Sequence, residues 1–187
     1  MNREQAIDLL HSKMQNQNLR RHCYAVGGVM KALAKHFHDD EEEWEIAGLL
    51  HDMDYEITKD DATQHTKLAV EWLNKTDASE EIKNAILAHG WGYVEGNPEP
   101  TNNIEWSIYC CDELTGLIVA CALVKPSKKL EDVTVDTVLS KWKQKSFAAG
   151  VDREQISMCE EKLGIPLDEF IGIALSAMQE MHEELGL

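Results

Sequence analysis

Apolar residues recur at three- and four-residue spacing along nearly all of this chain of 187 residues, and at several places a histidine takes the slot that a leucine would fill. The spacing selects helices. One stripe, behind a capping Asn2, is Ala6, Leu9, Leu10 and Met14. A second, behind Asn18, is Leu19, His22, Val26, Val29, Leu33 and Phe37. A third helix is predicted over about Asp40–Met53, with Trp44, Ala47, Gly48 and His51 in line. A fourth begins near Ala62 with His65, Leu68, Ala69 and Trp72, and a fifth near Ser79 with Ile82, Ala85, Ile86 and His89. After a loop rich in Gly, Pro and Asn, Gly90–Asn103, a sixth helix runs to about Val124 and aligns Ile104, Ile108, Cys111, Asp112 and Thr115.

The remainder is helical too. Val135, Val138, Leu139 and Trp142 form one stripe. Asp152 and Gln155 have the spacing of a capping box for the next helix, which Gly164 can end. Pro166 suits the first turn of a last helix carrying Phe170, Ile171, Ala174, Leu175 and Met178. No stretch alternates like a strand. The expected fold is all-α, with a core over residues 1–124 and a helical extension, 125–187, packed on it; Val124–Thr134 is the expected boundary.

Hydrophobic residues make up 43% of the chain, enough for a real core at this length. The longest uninterrupted apolar run, Leu117–Val124, falls well short of the roughly 20 residues a membrane span needs. No span is therefore expected, and the absence of an export-type signal makes the cytoplasm the expected location. The five cysteines include no CxxC pair and read as reduced thiols packed as small hydrophobes. A formal net charge of -16 disfavours nucleic acid as a partner. Against that background Lys125–Lys145 is locally basic, and Lys125, Lys128 and Lys145 are candidate contacts for an anionic substrate.

Burying one polar group without a partner costs several kcal/mol. His22, His51, His65 and His89, with Asp112 on the same kind of inward stripe, must find partners, and a metal ion is the partner they could share. His11, His36, His38 and His182 lie on polar or terminal stretches and read as surface residues. The acidic run Asp39–Glu43 reads as helix-start charge favoured by the macrodipole.

The order His22, then the adjacent His51-Asp52, then Asp112, in the contexts GLLHDMDYE and CCDELTGL, resembles the HD-domain superfamily of metal-dependent phosphohydrolases. The likeness covers roughly residues 19–124. His65 in TQHTKLAVEWL and His89 in AILAHG match two further histidines that many members carry. The resemblance implies a helical bundle, with His22, His51, Asp52 and Asp112 holding a divalent cation. His65 and His89 would either complete a second ion site bridged by Asp52 or contact the substrate. Mixed nitrogen and oxygen ligands suit Mn, Fe, Co, Ni, Zn or, less well, Mg. The implied reaction is attack of a metal-bound hydroxide on a small phosphorylated metabolite or nucleotide. Asp52, Asp54 and Glu56 are the candidate catalytic carboxylates, Asp54 ranking above Glu56 because it sits just past the metal pair; Glu113 is a further candidate for proton transfer. No Gly-rich phosphate loop indicates a particular nucleotide. Two other readings stay open: a di-iron oxygenase, since some proteins of this fold use the same six ligands, and a binding module with a structural metal.

Overall fold

The computed structural model describes all of residues 1–187 and contains eleven α-helices and no strand. They are α1 (Arg3–Lys13), α2 (Gln17–Phe37), α3 (Glu41–Leu50), α4 (Tyr55–Thr58), α5 (Lys67–Leu73), α6 (Glu80–His89), α7 (Asn103–Leu123), α8 (Val135–Trp142), α9 (Arg153–Met158), α10 (Leu167–Glu180) and α11 (His182–Leu185). Side-chain caps explain most helix starts. Asn2 and Gln5 form a full capping box on α1, and Asp40, Ser79 and Asn102 cap α3, α6 and α7.

Several starts differ from the sequence reading. The cap of α2 is Asn16, which accepts from the backbone of Asn18 and Leu19, so that helix begins before the expected Asn18. Asp152 does cap α9, but Gln155 does not reciprocate; its amide reaches across to the carbonyl of Tyr109 on α7. The helix expected from Ala62 forms only at Lys67, after a 3-10 turn at Ala62–Gln64. His65 therefore lies in the connecting turn, not on a helical stripe, and His51 lies just past the end of α3.

The long helices α2 and α7 form the middle of the bundle, with α3 and α6 packed against them and α1 against α3. One continuous hydrophobic cluster runs from Ala6 to Leu185, and it includes Val138 of α8, Ile156 of α9 and Phe170 of α10. Residues after 124 thus bury their apolar faces in the same core as those before it: α9 on α7, α10 on α2 and α8. All five cysteines are buried and unpaired. By length and composition α7 is apolar enough to cross a membrane; counting only uninterrupted apolar runs missed this, and in the fold most of its residues lie inside the bundle.

Helices α2 and α3 pack most extensively and cross at close range. A Cβ on Gly48 would lie 2.7 Å from the Cα of Gly27, and one on Gly27 would lie 2.9 Å from Leu49 Cγ. Only glycine at both places lets the two backbones approach this closely. The crossing lies about one turn from both His22 on α2 and His51 at the end of α3, so it fixes how near those two rings come. Gly48→Ala should therefore lower stability by about 1–3 kcal/mol, the usual cost of overpacking a core. A denaturant titration should show a lower midpoint at unchanged slope; an unchanged midpoint would mean that the crossing tolerates the methyl group.

Candidate metal centre

Five elements bring the six predicted ligands together. His22 Nε2 lies 2.9 Å from Asp112 Oδ1 and 3.8 Å from Asp52 Oδ2. His51 Nε2 lies 3.5 Å from Asp112 Oδ1 and 3.7 Å from Asp52 Oδ2. On the other oxygen of Asp52, Oδ1, His65 Nε2 lies at 3.3 Å and His89 Nε2 at 3.5 Å. Ligands at about 2.0–2.2 Å from one ion are about 3–3.5 Å apart when adjacent in octahedral or tetrahedral geometry. Four of the six separations match that pattern, and the two to Asp52 Oδ2 are a few tenths of an ångström longer. Two overlapping groups of donors lie close enough to share an ion, His22 with His51 and Asp112, and His51 with Asp52 and His89; Asp52 turns Oδ2 toward His22 and His51 and Oδ1 toward His65 and His89.

The far side of each ring decides which nitrogen is free. His51 Nδ1 donates to the carbonyl of Gly48 at 2.7 Å, and His89 Nδ1 donates to that of Ile86 at 2.7 Å. His65 Nδ1 donates to Asp54 Oδ1 at 2.8 Å. Thr115 spends its single hydroxyl proton on the carbonyl of Asp112 at 2.8 Å, so at 3.3 Å it accepts from Nδ1 of His22. In each neutral ring the proton is thus held on Nδ1, and the Nε2 lone pair faces the carboxylates. Nε2 of His51 and of His89 is buried with no hydrogen-bond partner. Buried polar atoms without a partner are rare; a cation between these atoms and Asp52 satisfies both. The donor set fits a divalent metal.

Without a metal, protons carry the compensating charge. Burial opposes a charged His51, but Asp52 and Asp112 outweigh it and raise its pKa to about 9. Burial likewise opposes a charged His65, yet Asp52 and Asp54 raise it to about 10. Desolvation disfavours both carboxylates, but the surrounding imidazoles hold Asp52 and Asp112 well below the usual range.

Asp54 is fully buried, and besides His65 its carboxylate accepts the backbone N–H of Ala69 at 3.0 Å. It is spent on orienting a ring and pinning the start of α5, and it does not face the cavity. Glu56 is farther off: its carboxylate accepts from the backbone of Gln15 at 2.6 Å and Asn16 at 3.1 Å, tying the α1–α2 turn. The buried Thr66, next to His65, adopts φ 67°, unusual for a β-branched residue; its hydroxyl is held by Asn97, whose amide also binds the carbonyl of Leu87. The loop after His89 thereby braces the turn that carries His65.

The cluster opens into a cavity of about 610 Å³. One wall comes from Tyr55, Thr58, Lys59 and Ala62, another from Glu113, Gly116, Val151 and Asp152. Lys125, Lys128 and Lys145 are not among the lining residues; Lys125 instead reaches Thr137, and Lys128 and Lys145 are exposed elsewhere. The cation that does line the cavity is Lys59, which the sequence reading passed over although it is the only base between His51 and Gln64. Thr115 was also given no role, though it stood in the same stripe as Asp112. Of the histidines read as surface residues, His36, His38 and His182 are exposed, while His11 is half-buried against Tyr24. A larger groove of about 830 Å³ between α2 and α10 contains no histidine and none of the predicted ligands.

An all-helical bundle with imidazoles and carboxylates converging on a cavity defines a class of protein able to hold divalent metal. Residues 19–115, just over half of the chain, match the family model of the HD domain, and the chain belongs to that family. HD domains bind divalent metals, and the family consists generally of metal-dependent phosphohydrolases.

An ion binding here must displace the protons on His51 and His65. Affinity should therefore rise with pH, by about tenfold per unit for each proton displaced. It should level off above about 9 and about 10, where the two rings are already neutral. Calorimetric titration in buffers of different ionisation enthalpy counts the protons released. An affinity independent of pH between about 6 and 9 would mean that neither ring is charged in the metal-free protein.

Proposed function

We propose that this protein is a metal-dependent phosphohydrolase that releases phosphate from a small phosphorylated metabolite or nucleotide. The observation that carries this reading is the division of the four imidazoles into two pairs around the two oxygens of Asp52. We take His22, His51, Asp52 and Asp112 as ligands of one ion, and His65, His89 and Asp52 as ligands of a second. A bound divalent ion supplies Lewis acidity toward a phosphoryl oxygen and an activated water.

The chain's own groups then divide the remaining work. Asp54 keeps His65 turned so that Nε2 faces Asp52. Lys59 is placed to bind a phosphoryl oxygen on the α4 side. Glu113, pushed above the usual carboxylate range by burial first and by Asp112 second, lines the cavity and is the group we assign to protonate a leaving oxygen.

Metal titration of purified variants separates the roles. Wild type should take up two ions, Asp52→Ala none, and His89→Ala one; wild-type stoichiometry in His89→Ala would assign that ring to the substrate instead. A screen of phosphorylated metabolites for phosphate release then tests the reaction. Oxygen uptake by the iron-loaded protein with no phosphate release from any substrate would replace the hydrolase with an oxygenase.

With a substrate in hand, Lys59→Ala should raise KM by about tenfold, the loss of one charged contact. Lys128→Ala and Lys145→Ala, away from the cavity, should leave KM unchanged. The opposite pattern would return substrate binding to the basic segment.

A further inference from the structure

Glycine inside a helix costs about 1 kcal/mol relative to alanine. Gly27 and Gly48 have a packing reason for it. Gly116 has none: it lies inside α7, four residues beyond Asp112, is exposed, and a Cβ built on it would meet no atom within 4 Å. The space beside it is unused by the fold.

That space borders two cavities. Gly116 and His22 line both the metal cavity and a second one of about 510 Å³. The second is walled by Ala25, Val119, Leu123 and Leu185, with Arg21 as the charged side chain apart from the imidazole. Leu123 is 50% exposed, a large apolar side chain left partly bare at this cavity. The metal cavity presents Glu113 and Asp152 on the same side as Gly116, which disfavours a second anionic group on whatever passes there.

From this we infer that Gly116 is a passage for substrate. The leaving group crosses the bare backbone at Gly116 and seats an apolar portion against Ala25, Val119, Leu123 and Leu185. The substrate class is then a phosphate monoester with an extended, uncharged, largely apolar leaving group. This inference rests on the phosphohydrolase reading of the neighbouring centre. A side chain at 116 would close the passage, which accounts for glycine where helix propensity favours almost any other residue.

The test uses n-alkylphosphonates of increasing length, which cannot be hydrolysed, titrated calorimetrically into the manganese-loaded protein. Each added methylene should tighten binding to wild type by about two- to fourfold until the second cavity is filled, as expected for burial of one CH₂. In Gly116→Leu the ratio of long-chain to methylphosphonate affinity should fall toward one. Gly116→Ala, which restores helix propensity, should raise Tm while reducing that ratio; a glycine with no ligand role would give the higher Tm and an unaltered ratio. Affinity independent of chain length in wild type, or an equal gain in Gly116→Leu, overturns the inference while methylphosphonate binding leaves the metal centre intact. If methylphosphonate itself does not bind the metal-loaded protein, the phosphohydrolase reading fails and this inference with it.

Discussion

Two carboxylates drawn into one cluster, the buried Asp52 and the half-buried Asp112, set the terms for everything around them. Each costs several kcal/mol to remove from water, and their mutual repulsion adds to that. The fold answers with four imidazoles pointed at them, each fixed from behind by a backbone carbonyl, a hydroxyl or a carboxylate. Because Nδ1 is occupied in every ring, only Nε2 is left to face the carboxylates. Protons on His51 and His65 or divalent ions can both neutralise the pair, and the two compete for the same nitrogen atoms. Either would balance the charge of the pair, and pH and metal concentration would decide between them.

The scaffold is shaped by the need to bring these groups from distant parts of the chain. The glycine crossing of α2 and α3 places His22 within reach of His51. Gln155 of α9, bonded to the carbonyl of Tyr109, and the caps at Asn102 and Ser79 hold α7 and α6 in position behind Asp112 and His89. Asn97 fastens the loop after α6 to Thr66, and Asp54 joins His65 to the start of α5. Polar struts thus accompany His65, the candidate ligand carried by the turn before α5. A turn without helical hydrogen bonds needs such support to hold a ring within the tolerance that ligation demands.

The helices and the inward clustering of the six histidine and aspartate residues were legible in the sequence because both have strong local signals. Helical spacing exposes a buried face, and a histidine on that face needs a partner wherever the helix packs. The errors came from interactions that join residues far apart. Asn16 and Asn18 are both plausible caps by sequence, and only the path of the preceding turn, held by Glu56, selects Asn16. That same bond takes Glu56 out of the cavity, which adjacency to the metal pair could not reveal. Asp54 reads as a catalytic carboxylate until the turn at Ala62–Gln64 brings His65 back onto it. The lysines after α7 cluster in sequence, but α7 is long enough to carry them away from the cavity mouth, while the single Lys59, in an acidic stretch, is brought to its wall.

Charge connects the composition to the centre. A chain with a net charge of -16 repels an anionic substrate at long range, so attraction has to be generated locally. One divalent ion would only cancel Asp52 and Asp112, leaving Lys59 as the cation on the cavity wall facing the nearby Glu113 and Asp152. Two ions would make the centre positive, at the place where the phosphoryl group of the proposed substrate would bind. The electrostatics of the whole molecule therefore favour the same conclusion as the geometry of Asp52, whose two oxygens each face a separate pair of imidazoles. They also restrict what can be attached to the phosphate. Beyond the reach of the ions the cavity is acidic, so any further anionic group on the substrate would be bound against the field of the protein.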